Sequence, residues 1–402
     1  MRLLIISHTR HYLQQGQLFG WGPTIEEVDW LARVFDHVIH LACLHSQPPP
    51  KSARAYSNDR ITITSVPPSG GLSWKEKTRV VSLASVYIRA IAHWLPFADV
   101  VHIRAPCPIA LYAMLLLSVR SSPIRWTKYA GNWGEPNLLP PSFALQRWWL
   151  RMGFSRGPVT VNGRWENQPR HIFSFDNPAF SLEEVHRGRL QGIAKMVAQP
   201  VHLVFAGRLE KAKGIYTTLQ VMKALNSKIE ARLDVLGDGP ERQKATAMCE
   251  DWGIGEKVAF HGWLPREEMR RFLARAHFVI LPSQSEGFPK VLSEGMCYGA
   301  IPLASNISAI PQFLKETNAG FSHAPKDVNG FVSAILTLVD EPQRWKQVSL
   351  AGMRAATRFS YERYIVALDD MFRAYYGSSP LDRIQVEKMK EKVASEEMSI
   401  AF

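Results

Sequence analysis

Pro282-Ser283-Gln284-Ser285-Glu286-Gly287-Phe288-Pro289-Lys290-Val291-Leu292-Ser293-Glu294 is the stretch that decides the fold. It follows a short apolar run, Phe278-Val279-Ile280-Leu281, that reads as a buried strand ending at Leu281. A loop with Glu286 and Gly287 comes next, and a helix begins near Lys290. N–H groups in a first helical turn have no intrahelical partner and sit at the positive dipole end, so this junction favours a phosphate. Glu286 and Glu294 stand eight residues apart, one in the loop and one in the second turn of the helix. Carboxylates accept hydrogen bonds from sugar and ribose hydroxyls. A carboxylate pair also suits hydrolysis by a general acid and a base, but the cations nearby favour a nucleotide leaving group.

Three more clusters fall at strand-to-helix junctions upstream. Ala206-Gly207-Arg208-Leu209 with Lys213-Gly214 follows a strand at 202–206. Gly207 admits close backbone approach, and Arg208 (a planar fork) and Lys213 (a point charge) are expected to converge on the next loop. Gly237-Asp238-Gly239-Pro240-Glu241 follows a strand at 232–236, with Pro240 opening a helix. Phe260-His261-Gly262-Trp263 ends a strand begun at 258, and Gly262 would let a flat base lie against the backbone. Helices at 214–225, 240–252, 266–275 and 290–298 and a strand at 301–304 complete the alternation.

The first half has the same rhythm. Strands are expected at 3–7, 38–44, 61–66, 100–103, 124–129 and 159–161, and helices at 25–35, 74–94 and 108–119. This alternation indicates an α/β protein with parallel sheets covered on both faces. The expected architecture is two Rossmann-like doubly wound domains, 1–180 and 190–360, facing a central cleft. A polar stretch around 181–199 reads as a linker. A helix at about 361–377 is expected to cross back to the first domain, and 378–402 reads as a charged tail without usable pattern. Open α/β sheets bind ligands beyond the carboxyl ends of their strands, so the cleft is the expected site.

Composition excludes several other classes. The 402 residues, 46% apolar and 21% charged, fit a folded globular chain of two or three domains. Four scattered cysteines (Cys43, Cys107, Cys249, Cys297) rule out a disulfide framework or zinc ribbon and suit a reducing compartment. The apolar start is too short for a signal peptide, and the longest other apolar run, 109–119, is half a membrane span. The expected location is therefore cytoplasmic, soluble or peripheral on the inner face of a membrane. Residues 1–200 hold 22 Lys and Arg against 12 acids, nearly all of the chain's net +12. Much of this charge is mixed with aromatics, in Trp74-Lys75-Glu76-Lys77-Thr78-Arg79 and Arg147-Trp148-Trp149-Leu150-Arg151. An anionic membrane or acidic acceptor suits such a patch. No nucleic-acid motif accompanies it, so nucleic acid is not an expected partner.

The run from Val204 to about Phe321 resembles the donor domain of GT-B glycosyltransferases, specifically the retaining glycosyltransferase family 4 (glycosyl transferases group 1). The resemblance is carried by Ala-Gly-Arg with Lys213-Gly214, Leu-Gly-Asp-Gly-Pro, Phe-His-Gly-Trp and Leu-Pro-Ser-x-x-Glu-Gly-Phe with its two glutamates. Gly299-Ala300-Ile301-Pro302 and Ile310-Pro311 continue it. It implies that Arg208 and Lys213 hold the diphosphate of a nucleotide-sugar donor, Glu286 the donor sugar and Glu294 the ribose. Gly207, Gly287, Phe288, Val291, Leu292, Gly237, Gly262 and Trp263 would complete donor binding. It further implies transfer with retention to a saccharide or lipid-linked acceptor, in envelope or extracellular polysaccharide assembly, with no cofactor. No Asp-x-Asp motif occurs, so metal independence is expected. A sugar-nucleotide epimerase, a phosphorylase and a non-catalytic nucleotide-binding scaffold are the alternatives. The first half departs from the family where many relatives have a histidine facing the donor sugar. Here Lys128-Tyr129-Ala130-Gly131-Asn132-Trp133 has Ala130 instead, which leaves His102 or Asn132 to supply the contact. The glycine-rich loop of the first domain is represented only by Gly16, Gly20 and Gly22.

Overall fold

A computed structural model describes residues 1–69, 79–120, 123–134 and 140–400. Contacts divide the chain into two compact units. The first comprises residues 1–175 and 361–395, the second residues 176–360 and the last residues from 396.

The first unit contains β1 (Arg2–Gln14), β2 (Gln17–Trp21), β3 (His37–His45), β4 (Ala53–Ala55), β5 (Ile61–Val66), β6 (Val100–Ala105), β7 (Ile124–Tyr129), β8 (Val159–Asn162) and β9 (Ile172–Phe175). Its parallel sheet runs β5-β3-β1-β6-β7-β8-β9. Strand side chains alternate between faces, and β1 shows the result. Leu4 and Ile6 feed one core with Ile39, Val101 and Ile103, while Leu3 and Ile5 feed the other with Val38, Val100 and Trp126. Both faces are therefore buried, which is why the strand reads as an unbroken apolar run.

β1 continues well past the expected end at Ser7. Its register shifts between Ile6 and Arg10, and a hairpin to β2 follows, with Gln15 and Gly16 both at positive φ in the turn. Gly16 is thus a hairpin-turn residue. The bulge at Ser7–Thr9 is held by a ring of buried hydrogen bonds. The Thr9 carbonyl can only accept, so His11 Nδ1 donates to it at 3.0 Å. Tyr56 OH then donates to His11 Nε2 at 2.7 Å and accepts from His40 Nδ1 at 2.6 Å. His40 Nε2 is left to accept from the Ser7 hydroxyl at 2.8 Å. One carbonyl fixes both tautomers.

A second buried network lies on the same unit. Glu27 pairs with Arg104 at 2.6 Å and with Lys128 through both oxygens, at 2.8 and 2.9 Å, and accepts from Tyr364 OH at 3.3 Å. Burial disfavours the charged Arg104, yet the attraction of Glu27 outweighs this and raises its pKa. Removing one partner of such a buried set costs about 3–5 kcal/mol, because the others keep their desolvation penalty.

The second unit contains β10 (Val201–Ala206), β11 (Ala231–Leu236), β12 (Val258–Gly262), β13 (Phe278–Leu281), β14 (Ile301–Ser305) and β15 (Phe321–His323). All pair in parallel, in the order β12-β11-β10-β13-β14-β15.

Several expectations need correction. The supposed linker holds the helix Leu182–Gly192, started by a capping box in which Ser181 and Glu184 satisfy each other's backbone N–H. The supposed tail holds the helix Arg383–Ile400, whose Val386 and Met389 are buried in the first unit beside Leu368 and Phe372 of the helix Tyr361–Tyr376. Too few apolar residues recur in either segment for periodicity alone to expose it. The first helix spans Gly22–Leu31, earlier than 25–35, because Pro23 sits in its first turn. The helix expected from 74 is described as Ala84–Trp94, and Trp74–Thr78 lie outside the described residues.

His11 and His40 are buried and neutral. Burial lowers the His11 pKa to about 4, and burial followed by the charge of His11 lowers that of His40 well below 6.5. Between the folded and unfolded pKa values the unfolded chain binds more protons, so stability falls as pH drops from about 6.5 towards the folded values. The thermal midpoint should therefore fall from about pH 7 to about pH 5, each histidine contributing up to about 1.4 kcal/mol per pH unit. His11→Gln should flatten that profile in calorimetry; an equally steep profile in the variant contradicts the assignment.

Candidate functional site

In the second unit the strand order reverses between β10 and β13, so the loops after them part and open a crevice at the carboxyl edge. The two loops are joined at its base. Gln284 N–H donates to the Ala212 carbonyl at 2.8 Å. Gly214, at φ +81°, passes so close that a Cβ there would lie 2.1 Å from the Pro282 carbonyl oxygen. Only glycine allows this approach. The loop after β11 closes in from the other side, where a Cβ on Gly237 would stand 2.0 Å from the Gly207 carbonyl oxygen. Gly237 N–H donates to the Gly262 carbonyl at 2.8 Å, which ties the loops after β11 and β12 together. Arg242 reinforces this link, bonding Asp238 at 3.1 Å and the Phe260 carbonyl at 3.2 Å. Gly207 has open space where its Cβ would be. His261 bonds Asp234 at 2.7 Å and packs on Phe272, so it is a satisfied structural residue.

The crevice brings Lys213 and Glu286 together, Nζ to Oε1, at 2.5 Å. Arg208 turns instead to Glu210, at 2.8 Å, and is half exposed. Each expected phosphate cation therefore already holds an acid. The exposed Arg208–Glu210 pair is worth about 0–1 kcal/mol, so a multiply charged diphosphate can displace it. The helix Lys290–Cys297 begins beside this pair with Pro289 as N-cap and no side-chain cap bond. The side chains of Val291 and Leu292 are buried; Leu292 N–H donates to the Pro289 carbonyl at 3.2 Å, and the Val291 N–H is the useful feature. Phe288 stacks on Phe359 at 4.9 Å, and its carbonyl accepts from Asn177 at 3.1 Å. Glu294 lines a small pocket together with Glu184, Arg266 and Arg270.

Sequence reasoning missed Glu210 as the partner of Arg208. It also missed Ser283, Ser305 and Ser308, whose buried hydroxyls have no hydrogen-bond partner among the described residues. They stand at or after the ends of β13 and β14; Ser283 belongs to the Leu-Pro-Ser-x-x-Glu-Gly-Phe motif but was given no role, while Ser305 and Ser308 leave no pattern that could have found them.

The residues expected from the first unit to reach the sugar lie in packed surroundings. His102 is fully buried mid-strand, stacked on Trp126 at 4.0 Å, and burial holds its pKa well below the usual value. Asn132 is buried too, its Oδ1 accepting from Gly134 N–H at 3.0 Å. Gly20 is small because Ile25 and His11 fill the space beside it, and Gly22 because the Ser52 carbonyl does. His102 on its strand shows the difficulty, since strand position alone could not separate a buried face from an open edge.

Residues 194–353 match the model of glycosyl transferases group 1. Glycogen synthase of Mycobacterium tuberculosis is 25% identical over 177 residues, covering 44% of this chain and 43% of that protein. The lipopolysaccharide core biosynthesis glycosyltransferase LpsE of Rhizobium meliloti is 28% identical over 218 residues, covering 54% and 60%. The chain thus spans about half the length of the curated relatives it matches. Sucrose-phosphate synthase from Thermosynechococcus elongatus superposes with a TM-score of 0.71 at 16% identity, covering 94% of this chain and 100% of that one. The fold is GT-B. The matched residues include every motif of the β10–β13 crevice.

Gly214→Ala should lower the stability of the second unit by about 1–3 kcal/mol or more, from overpacking added to positive-φ strain. Chemical denaturation would measure this, and a variant as stable as the parent would show that the two loops are not pinned there.

Proposed function

We propose that this protein transfers a sugar, with retention of configuration, from a nucleotide-sugar donor to a saccharide or lipid-linked acceptor in envelope or extracellular polysaccharide assembly. The observation that carries this reading is the Lys213–Glu286 pair, set at the β10/β13 crevice beside the uncapped start of the helix Lys290–Cys297. The group 1 match over the same residues supports it.

The donor diphosphate replaces Glu286 on Lys213 and Glu210 on Arg208, with the N–H group of Val291 at the helix start. Released from Lys213, Glu286 accepts hydrogen bonds from donor-sugar hydroxyls, and Glu294 receives the ribose. The bond from the anomeric carbon to the phosphate oxygen breaks as charge builds on the diphosphate. The two cations and the helix dipole stabilise that charge. The acceptor hydroxyl attacks from the same face and passes its proton to the departing phosphate oxygen. Side-chain cations do what a metal would otherwise do, so no metal is required.

Arg208→Ala with Lys213→Ala should cut turnover of the preferred donor by about a hundredfold or more, as loss of oxyanion-type stabilisation does. Nucleotide affinity should fall as well, and activity should persist in a chelator. The donor is found by thermal-shift screening of UDP, GDP, ADP and their sugars. A double variant with unchanged nucleotide affinity and turnover would end this reading.

Membrane contact belongs to the same proposal. No helix among the described residues is long and apolar enough to cross a membrane. Trp148, Met152 and Phe154 are nonetheless exposed at the end of the helix Pro141–Arg151, next to Arg147 and Arg151. Aromatic side chains flanked by arginine suit the surface of an anionic bilayer. Trp148→Glu with Phe154→Glu should abolish co-flotation with anionic vesicles and leave turnover of a soluble acceptor intact; flotation retained in full would refute the contact.

A further inference from the structure

The first unit has a switch point of its own. Its parallel sheet reverses order between β1 and β6, so a second crevice opens at the carboxyl ends of those strands. The last residue pair between them is Ile6 with Ile103, so Ser7–Thr9 and Arg104 lie just beyond it, Arg104 still pairing with Lys128 on β7. Beyond the bulge, Arg10 pairs with Cys43 and Tyr12 with His45 on β3. The ring built on Ser7, Thr9, His11, His40 and Tyr56 holds this bulge rigid. It thereby fixes where His8 and Arg10 project.

Two arginines and two histidines gather here. Arg10 is exposed, and neither it, His8 nor His45 pairs with an acid among the described residues. Behind them, Arg104 and Lys128 both contact the carboxylate of Glu27. Enclosure of the ring, then the charges of Arg104, Arg10 and His45, lower the His8 pKa to about 4, although the residue keeps solvent-facing surface. The helix Pro108–Ser118 starts directly after β6 with no side-chain cap bond, adding its positive dipole end.

We propose that this edge binds a phosphoryl group carried by the acceptor, held by Arg10 and His8 from β1, His45 from β3 and Arg104 from β6. Donors arriving from three strands suit the tetrahedral oxygens of a phosphate, whereas a flat carboxylate is served by a single fork. The inference rests on the glycosyl-transfer reading and narrows its acceptor to a phosphate ester or a lipid-linked phosphate.

The test uses the full chain and calorimetric titration. Glucose 6-phosphate is one probe, with glucose as control. Phosphatidylcholine vesicles with and without phosphatidic acid are the other, so a soluble ester and a lipid headgroup are told apart. Titrations are run with whichever of UDP, GDP or ADP stabilises the protein present at saturation. At least one phosphate-bearing probe should bind, and Arg10→Ala with His45→Ala should weaken it about tenfold or more. The nucleotide-dependent melting shift should not change. Arg10→Glu, at an exposed position that leaves folding intact, should produce the same loss alone, and Arg10→Lys should retain most of the binding.

The proposal is overturned if neither probe binds, if the variants bind as the parent does, or if the nucleotide displaces the probe. Displacement would assign the edge to the donor. If phosphate binding stands while no nucleotide stabilises the parent, the donor reading fails by itself and this site remains.

Discussion

A crossover between parallel strands is right-handed, and the chain cannot choose otherwise without losing its fit to the twisted sheet. A sheet that grows first to one side of its opening strand and then to the other must therefore send consecutive helices to opposite faces. The loops leading into them separate, and a crevice forms with no side chain needed to make it. This happens twice here, at β1/β6 and at β10/β13. The loops and charges that carry chemistry in both units are arranged around those two gaps.

The two crevices are electrostatically unlike. At β10/β13 each cation has an acid, Lys213 with Glu286 and Arg208 with Glu210, so the empty site is balanced and ligand charge enters by exchange. At β1/β6 Glu27 contacts both Arg104 and Lys128, while Arg10 has no acid among the described residues. The excess of positive charge in the first half of the sequence is thus concentrated in part at a ligand-binding edge. Behind it lie two buried polar networks in which every named donor has an acceptor, the condition under which buried polarity rigidifies a fold.

Much of the β10/β13 crevice was legible because its requirements are local. Gly214 must be glycine where a Cβ would strike a carbonyl 2.1 Å away, and a glycine between a strand and a helix is visible in one dimension. The run Phe278-Val279-Ile280-Leu281 followed by Glu286 and Gly287 likewise announces a buried strand and an open junction. The first unit was harder. His102 lies on a strand like any ligand candidate, and only the stacking of Trp126 against it shows that it faces the core. Gly20 and Gly22 resemble loop glycines until Ile25 and the Ser52 carbonyl are found filling their space. The helix Arg383–Ile400 has too sparse an apolar face to declare itself, yet Val386 and Met389 find a core that the opposite end of the chain built.

The sequence by itself determined the α/β class, the strand-to-helix junctions and the glycines and charges at them, because hydrophobic period and backbone sterics act over a few neighbouring residues. Tertiary structure alone decided which charges meet. It set Lys213 against Glu286, two cations around Glu27, and a carbonyl of Thr9 to fix the protons on two histidines. Hydrogen bonds and ion pairs depend on distance in space, and residues 73 or 101 positions apart acquire one only after the sheet has closed between them.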